Sequence, residues 1–290
     1  MRVFVTGASG FIGSALVAEL IGAGHDVLGL ARSDGAAEGL ASLGAEVLRG
    51  TVEDLDLLRT GAAESAGVVH LAFNHDMSQH EAAARSELGA VRAFGDVLAG
   101  SGRPLVVASG GPMGSERDLR PPSTSPRVAS ANAALALAER GVRSSLVRLA
   151  PTVHDRGRCA TVETLARIAR DSGFSGYVEE GNNRWPSVHR RDAATLFRLA
   201  LERAAAGSVL HAVAEEGVVI RHIAELIGRR LELPVASVSA GDAVEHFGFL
   251  GRLLGLDLPA TSRLTQVALG WQPTGPGLLA DLEQAEFLEG

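Results

Sequence analysis

Short apolar runs alternate with stretches of helical periodicity through the first half of the chain. The runs barely alternate with polar residues, which is typical of parallel strands covered on both faces. Strands are predicted at Arg2–Thr6, Asp26–Ala31, Ala45–Arg49, Gly67–Ala72, Pro104–Ser109 and Ser144–Leu149. Helices are predicted between them, at Gly10–Ala23, Ala36–Leu43, Asp54–Gly61, Ser78–Gly100 and Ser130–Arg140. This alternation predicts βαβ units and an α/β fold with a doubly wound parallel sheet.

The second half of the chain has a looser pattern. It predicts helices at Thr161–Asp171, Ala193–Arg203, Val219–Leu231 and Ala243–Leu254, with one strand at Val209–Val213. A tail rich in glycine and proline follows from Gly270. No internal repeat or low-complexity tract interrupts this half.

A glycine motif lies between the first predicted strand and the first predicted helix. Its residues are Thr6-Gly7-Ala8-Ser9-Gly10-Phe11-Ile12-Gly13. Gly7 permits a tight turn, Gly10 lets a pyrophosphate approach the backbone, and Gly13 lets the helix pack close to the sheet. The helix N-terminus adds free N–H groups and the positive end of its dipole. The motif therefore predicts a Rossmann-type dinucleotide site that uses Thr6, Gly7, Ser9, Gly10, Phe11, Ile12 and Gly13.

The residue that reads the ribose is expected near the end of the second strand. An Asp or Glu there would accept hydrogen bonds from the 2′-hydroxyl of NAD. This chain instead has Arg32, 19 positions after Gly13. Because a guanidinium suits a 2′-phosphate and accepts no hydrogen bond, we expect NADP(H) to be favoured over NAD(H). An arginine that is merely exposed at a strand end is the alternative.

Charge and cysteine content narrow the classes of partner. The formal net charge is -7, which argues against nucleic acid as the main partner. No apolar stretch reaches the ~18 residues of a membrane helix.

Cys159 is the one cysteine of 290 residues. It is expected to be a packing residue rather than a nucleophile, and its isolation fits a reducing cytoplasm. No cluster has metal-ligand spacing, so no metal is expected.

Four segments together resemble the extended short-chain dehydrogenase/reductase superfamily, which includes NAD-dependent epimerases and dehydratases. They are TGASGFIG at the N-terminus, VVHLA at 68–72, RLAPTVH at 148–154 and GNNRWPSVHRRD at 181–192. The resemblance implies that Leu71 and Ala72 form a wall of the adenosine site. It also implies a dinucleotide-binding domain of residues 1–155, completed by about 187–213. Residues 156–186 and 214–290 would form a smaller substrate lobe.

The same resemblance implies a catalytic serine and a Tyr-x-x-x-Lys pair. Ser109, at the end of the fifth predicted strand, matches the serine. The tyrosine and lysine positions fall on Arg127 and Ala131, so the chain looks like an atypical member. The chain contains no lysine at all, and its single tyrosine, Tyr177, lies far along the sequence. The superfamily's usual proton transfer therefore cannot be carried over unchanged.

Other residues could supply chemistry in place of the pair. His154 has a side chain suited to general acid catalysis, with a structural histidine as the alternative. Arg127 stays charged and could stabilise an oxyanion or bind a carboxylate, or simply lie on the surface. Asn74 and His75 follow the fourth strand, where ligands bind, although they could also only turn the chain. The substrate lobe offers Arg184 and Trp185, with a structural role equally open.

The leading hypothesis is an NADP-dependent oxidoreductase acting on a small carbonyl or hydroxyl compound. Two alternatives stay open: an epimerase- or dehydratase-type enzyme with tightly held nucleotide, and a non-catalytic NADP-binding redox sensor. The missing Tyr–Lys pair favours the sensor, whereas Ser109 and the polar residues near it favour an enzyme. A small-molecule substrate is the expected partner, and a homodimer is a possible assembly.

Overall fold

The structure, a computed structural model, describes residues 1–74, 79–110, 113–117 and 126–286. Its largest sheet has seven parallel strands: β1 (Arg2–Thr6), β2 (Asp26–Ala31), β3 (Glu46–Arg49), β4 (Gly67–His70), β5 (Pro104–Ser109), β6 (Arg143–Leu149) and β10 (Ser208–Ala212). Their spatial order is β10-β6-β5-β4-β1-β2-β3. The predicted fold class is confirmed. The order reverses between β1 and β4, which places the ligand crevice at their carboxyl ends.

Helices cover both faces of this sheet. Alternate residues of β1 show the division, because Val3 and Val5 join one buried cluster and Phe4 joins another. The first cluster includes residues of α1 (Phe11–Gly22) and α7 (Arg190–Arg203). The second includes α3 (Leu55–Ala63), α4 (His80–Leu98) and α5 (Pro126–Ala136). Helix α2 (Asp34–Ser42) joins β2 to β3. Burial on both faces explains the nearly continuous apolar runs of the strands.

The second half of the chain builds a separate buried cluster around two small sheets. One sheet has the order β11-β9-β7 and the other pairs β12 with β8. Their strands are β7 (Thr152–His154), β8 (Ser175–Val178), β9 (Arg184–His189), β11 (Glu215–Val219) and β12 (Val235–Val238). The helices here are α6 (Ala160–Ser172), α8 (Ile220–Leu231), α9 (Ala243–Phe247), α10 (Gly251–Leu254) and α12 (Leu278–Leu282). Helix α11 (Arg263–Leu269) instead contributes Leu269 to the first cluster.

The pattern of apolar residues misses these five short strands, since most are too short to show a period. It also places the start of α5 at Ser130, whereas the helix begins at Pro126. A proline suits the first position of a helix, because its fixed φ is already helical and its missing N–H has no partner there. Among the residues that the structure describes, no helix has the length and apolarity needed to cross a membrane.

Candidate functional site

The glycine motif forms a tight turn between β1 and α1. Gly7 has φ +67°, and a Cβ there would lie 2.7 Å from the backbone nitrogen of Ala72. A Cβ on Gly13 would lie 2.0 Å from the carbonyl oxygen of Gly7. Both positions therefore require glycine so that the turn can close against β4 and against its own helix.

Gly10 differs from these two glycines because its side-chain position is open. A Cβ there would meet only the Gly7 carbonyl oxygen, at 3.1 Å. Its backbone is extended, and it precedes α1, whose first-turn N–H groups at Phe11 and Ile12 have no partner within the helix. Ser9 beside it is exposed, and Phe11 and Ile12 are partly exposed. This cradle fits the pyrophosphate of a dinucleotide.

Thr6 and the residues after β4 hold the turn in place. The Thr6 hydroxyl lies 2.6 Å from Nδ1 of His70 and accepts a 3.4 Å hydrogen bond from the Ala72 N–H. The Leu71 N–H donates to the Thr6 carbonyl at 3.1 Å. Thr6 is fully buried, so it positions the turn and cannot itself touch a ligand in this structure. Leu71 is partly exposed beside the turn.

Arg32 is exposed immediately after β2, the strand beside β1. Ser33 caps α2 through a 3.3 Å bond from the Ala36 N–H. Asp34 forms a 2.6 Å ion pair with Arg49, the last residue of β3. No described residue pairs with Arg32 in this way, so its charge is available at the carboxyl edge of the sheet.

A narrow cavity lies at the end of β5, and we call it the Ser109 corner. It is lined by Glu87, Val107, Ala108, Ser109, Arg127, Ser130, Ala131 and Leu146. Ser109 is 4% exposed, and its hydroxyl has no hydrogen-bond partner in the described part of the chain. Arg127, in the first turn of α5, places its guanidinium carbon 3.5 Å from the centre of the Phe73 ring. The structure thus brings Ser109 and Arg127 together.

Burial and charge perturb the titration of this corner. Burial lowers the pKa of Arg127, while the Glu87 carboxylate acts in the opposite direction. Burial, and secondly the charge of Arg127, lowers the pKa of His70 to about 4. His70 is therefore neutral at pH 7, whereas an arginine keeps its charge even when its pKa falls. The corner therefore brings together one unpaired hydroxyl and one cation, without space for a water-sized molecule between the described side chains in this structure.

His154 lies in a different setting. It is fully buried on β7, where Nδ1 is 2.9 Å from Oδ2 of Asp281 and its ring meets that of His189 edge to face. Burial lowers its pKa, although Asp281 acts in the opposite direction. A substrate oxygen cannot contact a fully buried ring in this structure. The geometry matches the structural alternative for His154, with a carboxylate as its partner.

Arg184 and Trp185 are engaged within the second lobe. Arg184 grips Asp257 through Nε at 3.1 Å and Nη2 at 2.8 Å. Trp185 is 2% exposed and donates from Nε1 to the Leu256 carbonyl at 3.1 Å. Both side chains bind β9 to the segment after α10. Trp185 is buried and its N–H is already paired, so it is not available for the predicted contact with a substrate.

Asn74 is exposed and donates to the side chain of Gln79 at 3.3 Å. His75, its predicted companion, lies outside the described residues. Cys159 is buried, and burial raises the pKa of its thiol to about 11. Within the described residues, no group of three or more His, Cys, Asp or Glu side chains could hold a metal ion.

Sequence reasoning missed Glu87, His70 and Phe73. Glu87 did leave a signal, because it is a carboxylate on the apolar stripe of α4, between Ala84 and Val91. A buried acid at such a position needs a compensating group. His70 and Phe73 left no comparable signal. An apolar strand and the loop after it do not indicate that the Arg127 side chain will pack beside them.

The parallel sheet with an open glycine turn at its switch point defines a dinucleotide-binding protein. Residues 3–107 match the model of the NAD dependent epimerase/dehydratase family. This match, within the first 107 residues, confirms the resemblance to NAD-dependent epimerases and dehydratases that the motifs predicted.

Two fungal proteins are similar over nearly the whole chain. "Uncharacterized protein C2A9.02" of Schizosaccharomyces pombe is 48% identical over 289 residues, which cover 97% of this chain and 98% of that protein. "Uncharacterized protein YLL056C" of Saccharomyces cerevisiae is 44% identical over 291 residues, with the same coverage of 97% and 98%.

Solved structures share the fold at lower identity. MoeE5, in complex with UDP-glucuronic acid and NAD, has a TM-score of 0.73 and 23% identity, covering 98% of this chain and 97% of its own. DesIV, a dTDP-glucose 4,6-dehydratase from Streptomyces venezuelae with NAD bound, has a TM-score of 0.72 and 19% identity, covering 100% of both chains. These likenesses show the fold.

Proposed function

We propose that the protein is an NADP-dependent oxidoreductase that acts on a small carbonyl or hydroxyl compound. The observation that carries the proposal is the pairing of the open glycine turn with the Ser109 corner on one edge of the sheet. Strand β4 separates β1 from β5, so the two features lie about 10 Å apart. A dinucleotide spans such a distance with its pyrophosphate at one feature and its nicotinamide near the other.

The chain's residues fit this cofactor, whose nicotinamide supplies or accepts a hydride when it is bound. Gly10 leaves room for the pyrophosphate, and the exposed Arg32 matches the 2′-phosphate of NADP. Ser109 would donate a hydrogen bond to the substrate oxygen once the side chains that bury its hydroxyl move apart. Arg127 stabilises the negative charge that develops on that oxygen during reduction. Since neither group readily gives up a proton, water would supply the proton that the reduced oxygen requires.

Epimerase- or dehydratase-type chemistry is the second candidate, supported by the family itself and by neighbours such as DesIV. There the substrate would give a hydride to the oxidised nucleotide and take it back within one turnover, so no net change in nucleotide is seen. A protein that binds nucleotide without catalysis remains the third candidate, supported by the lack of any lysine.

One experiment separates the three candidates. Purified protein is first titrated with NADPH and NADH by calorimetry. It is then given NADPH with a panel of small aldehydes, ketones and keto acids, and NADP⁺ with a panel of hydroxyl compounds. Net NADPH oxidation that vanishes in Ser109→Ala supports the oxidoreductase. Product formation without net oxidation supports the epimerase or dehydratase, and binding without either supports a sensor. Failure to bind both nucleotides would overturn all three.

We also propose a cytoplasmic location, supported by the buried Cys159 thiol as the only cysteine of the chain. Fluorescence microscopy of a tagged chain in its own cell tests this. An extracytoplasmic signal would contradict it.

A further inference from the structure

A side chain from a distant part of the chain contacts the first turn of α1, beside the glycine turn. Arg190, the first residue of α7, donates from Nη2 to the Ser14 hydroxyl at 2.7 Å. Ser14 in turn donates to the Gly10 carbonyl at 2.9 Å. The Arg190 guanidinium carbon also lies 4.8 Å from the centre of the Phe11 ring. A positive charge is therefore attached to the first turn of α1, whose free N–H groups face the cradle.

Arg190 is held in this position from behind. Its Nη1 donates to Oδ2 of Asp155 at 3.2 Å, and Oδ1 of Asp155 lies 3.1 Å from Nε2 of His189. The His189 ring meets the His154 ring, which is paired with Asp281. The Arg190 side chain is still 22% exposed, although its Nε is buried and has no hydrogen-bond partner among the described residues. The guanidinium is thus fixed in place, and part of the side chain remains accessible to a ligand.

We propose that Arg190 is a pyrophosphate-binding residue, contributed to the glycine turn by α7. The inference rests on the proposed dinucleotide function and adds a cation to a site that otherwise uses backbone N–H groups. A guanidinium fixed beside an anion site costs little ordering on binding and favours a doubly charged pyrophosphate. The Arg158 guanidinium carbon lies farther from the centre of the same Phe11 ring, at 6.0 Å, and Arg158 pairs with Glu163, so its contribution is smaller.

The structure supplies a matched control at the next position. Arg191 is exposed, carries the same charge and follows Arg190 in the same helix. Arg190→Met and Arg191→Met therefore change the net charge equally. Arg190→Lys keeps the charge but loses the two-sided grip on Asp155 and Ser14.

The test measures affinity for three ligands by calorimetry. NADPH and NADH contain the pyrophosphate, whereas 2′-AMP keeps the adenosine and 2′-phosphate without it. We expect Arg190→Met to weaken both dinucleotides about tenfold, Arg190→Lys to recover part of this, and Arg191→Met to change nothing beyond twofold. Affinity for 2′-AMP should stay within twofold of the parent in all variants.

Two results would overturn the assignment. One is dinucleotide affinity in Arg190→Met within twofold of the parent. The other is an equal loss of 2′-AMP and NADPH, which would show that Arg190 only supports the fold. Failure of the proposed function is seen separately, because the parent itself would then bind no dinucleotide before any variant is made.

Discussion

The glycine turn and the Ser109 corner lie on the same edge of one sheet but are built in different ways. The turn uses backbone atoms of a continuous segment, and only Gly10 among its glycines is left open. The corner uses residues of four separate elements, with Ser109 on β5, Arg127 on α5, Glu87 on α4 and Leu146 on β6. Local sequence can therefore specify the first region, whereas the second exists only after the elements have packed.

His70 connects the two regions. Its ring contacts Thr6 beneath the turn, and the charge of Arg127 in the corner contributes to its lowered pKa. This arrangement makes the comparison testable, because a change in one region has a defined consequence for the other.

The largest effect should come from the two glycines of the turn. Gly10→Val places a branched side chain where the pyrophosphate lies, so we expect NADPH affinity to fall more than a hundredfold while the fold is kept. Gly13→Val should instead destabilise the protein by about 3 kcal/mol, because its Cβ would lie 2.0 Å from the Gly7 oxygen. Calorimetry and thermal unfolding separate the two outcomes. Parental affinity in Gly10→Val would remove the site assignment.

The Ser109 corner is tested by Ser109→Ala and Arg127→Met. Each removes a group that would stabilise charge on the substrate oxygen, so we expect kcat to fall about 10²- to 10³-fold. NADPH affinity should change little, since the turn is untouched. Steady-state kinetics on a substrate found in the panel provide the measurement. Turnover equal to the parent in both variants would show that the Ser109 corner takes no part in catalysis.

A substitution of His154 tests whether this residue is a buried structural partner of Asp281 or a catalytic acid. His154→Ala leaves Asp281 buried without its partner, so we expect a loss of about 3 kcal/mol in unfolding free energy. Turnover per folded molecule should stay within twofold. Urea unfolding and kinetics on the same preparation check both values. A turnover slowed by 10²–10⁴ without loss of stability would instead favour the general-acid hypothesis.

Acidification should lower the free energy of unfolding, because His70 is buried in its neutral form. Its pKa is about 4 in the folded state, against 6.5 for an unperturbed histidine, so the unfolded chain binds more protons between these values. Stability is fully present above pH 6.5 and falls towards pH 4, by about 3 kcal/mol from this residue. In Arg127→Met the loss should be smaller, because one cause of the low pKa is gone. If the unfolding free energy of the parent and of Arg127→Met depended on pH identically, Arg127 would have no effect on the pKa of His70.

The smallest effect concerns the choice of nucleotide. Arg32→Ala should weaken NADPH about tenfold, or about 1.4 kcal/mol, and leave NADH nearly unchanged. Arg59→Ala, which alters a surface arginine on α3, serves as a charge-matched control. Equal affinity of the parent for NADH and NADPH would contradict the preference for NADP(H).

The sequence alone determined the fold class and the glycine turn, because both depend on local patterns. Buried parallel strands leave apolar runs. Gly13 is required by a contact with the nearby Gly7, and Gly7 by its positive φ as well as by a contact with Ala72, after β4. The placement of Ser109 at the end of β5 follows from the same pattern.

Tertiary structure decided which polar side chains meet. His154 is buried against Asp281, 127 residues away, and Arg190 reaches Ser14 across 176 residues. Arg127 stacks on Phe73 and shares a cavity with Glu87. These pairings depend on how β7, α7 and α5 pack against the sheet, and hydrophobic periodicity specifies which faces are buried without specifying which distant side chains come into contact there.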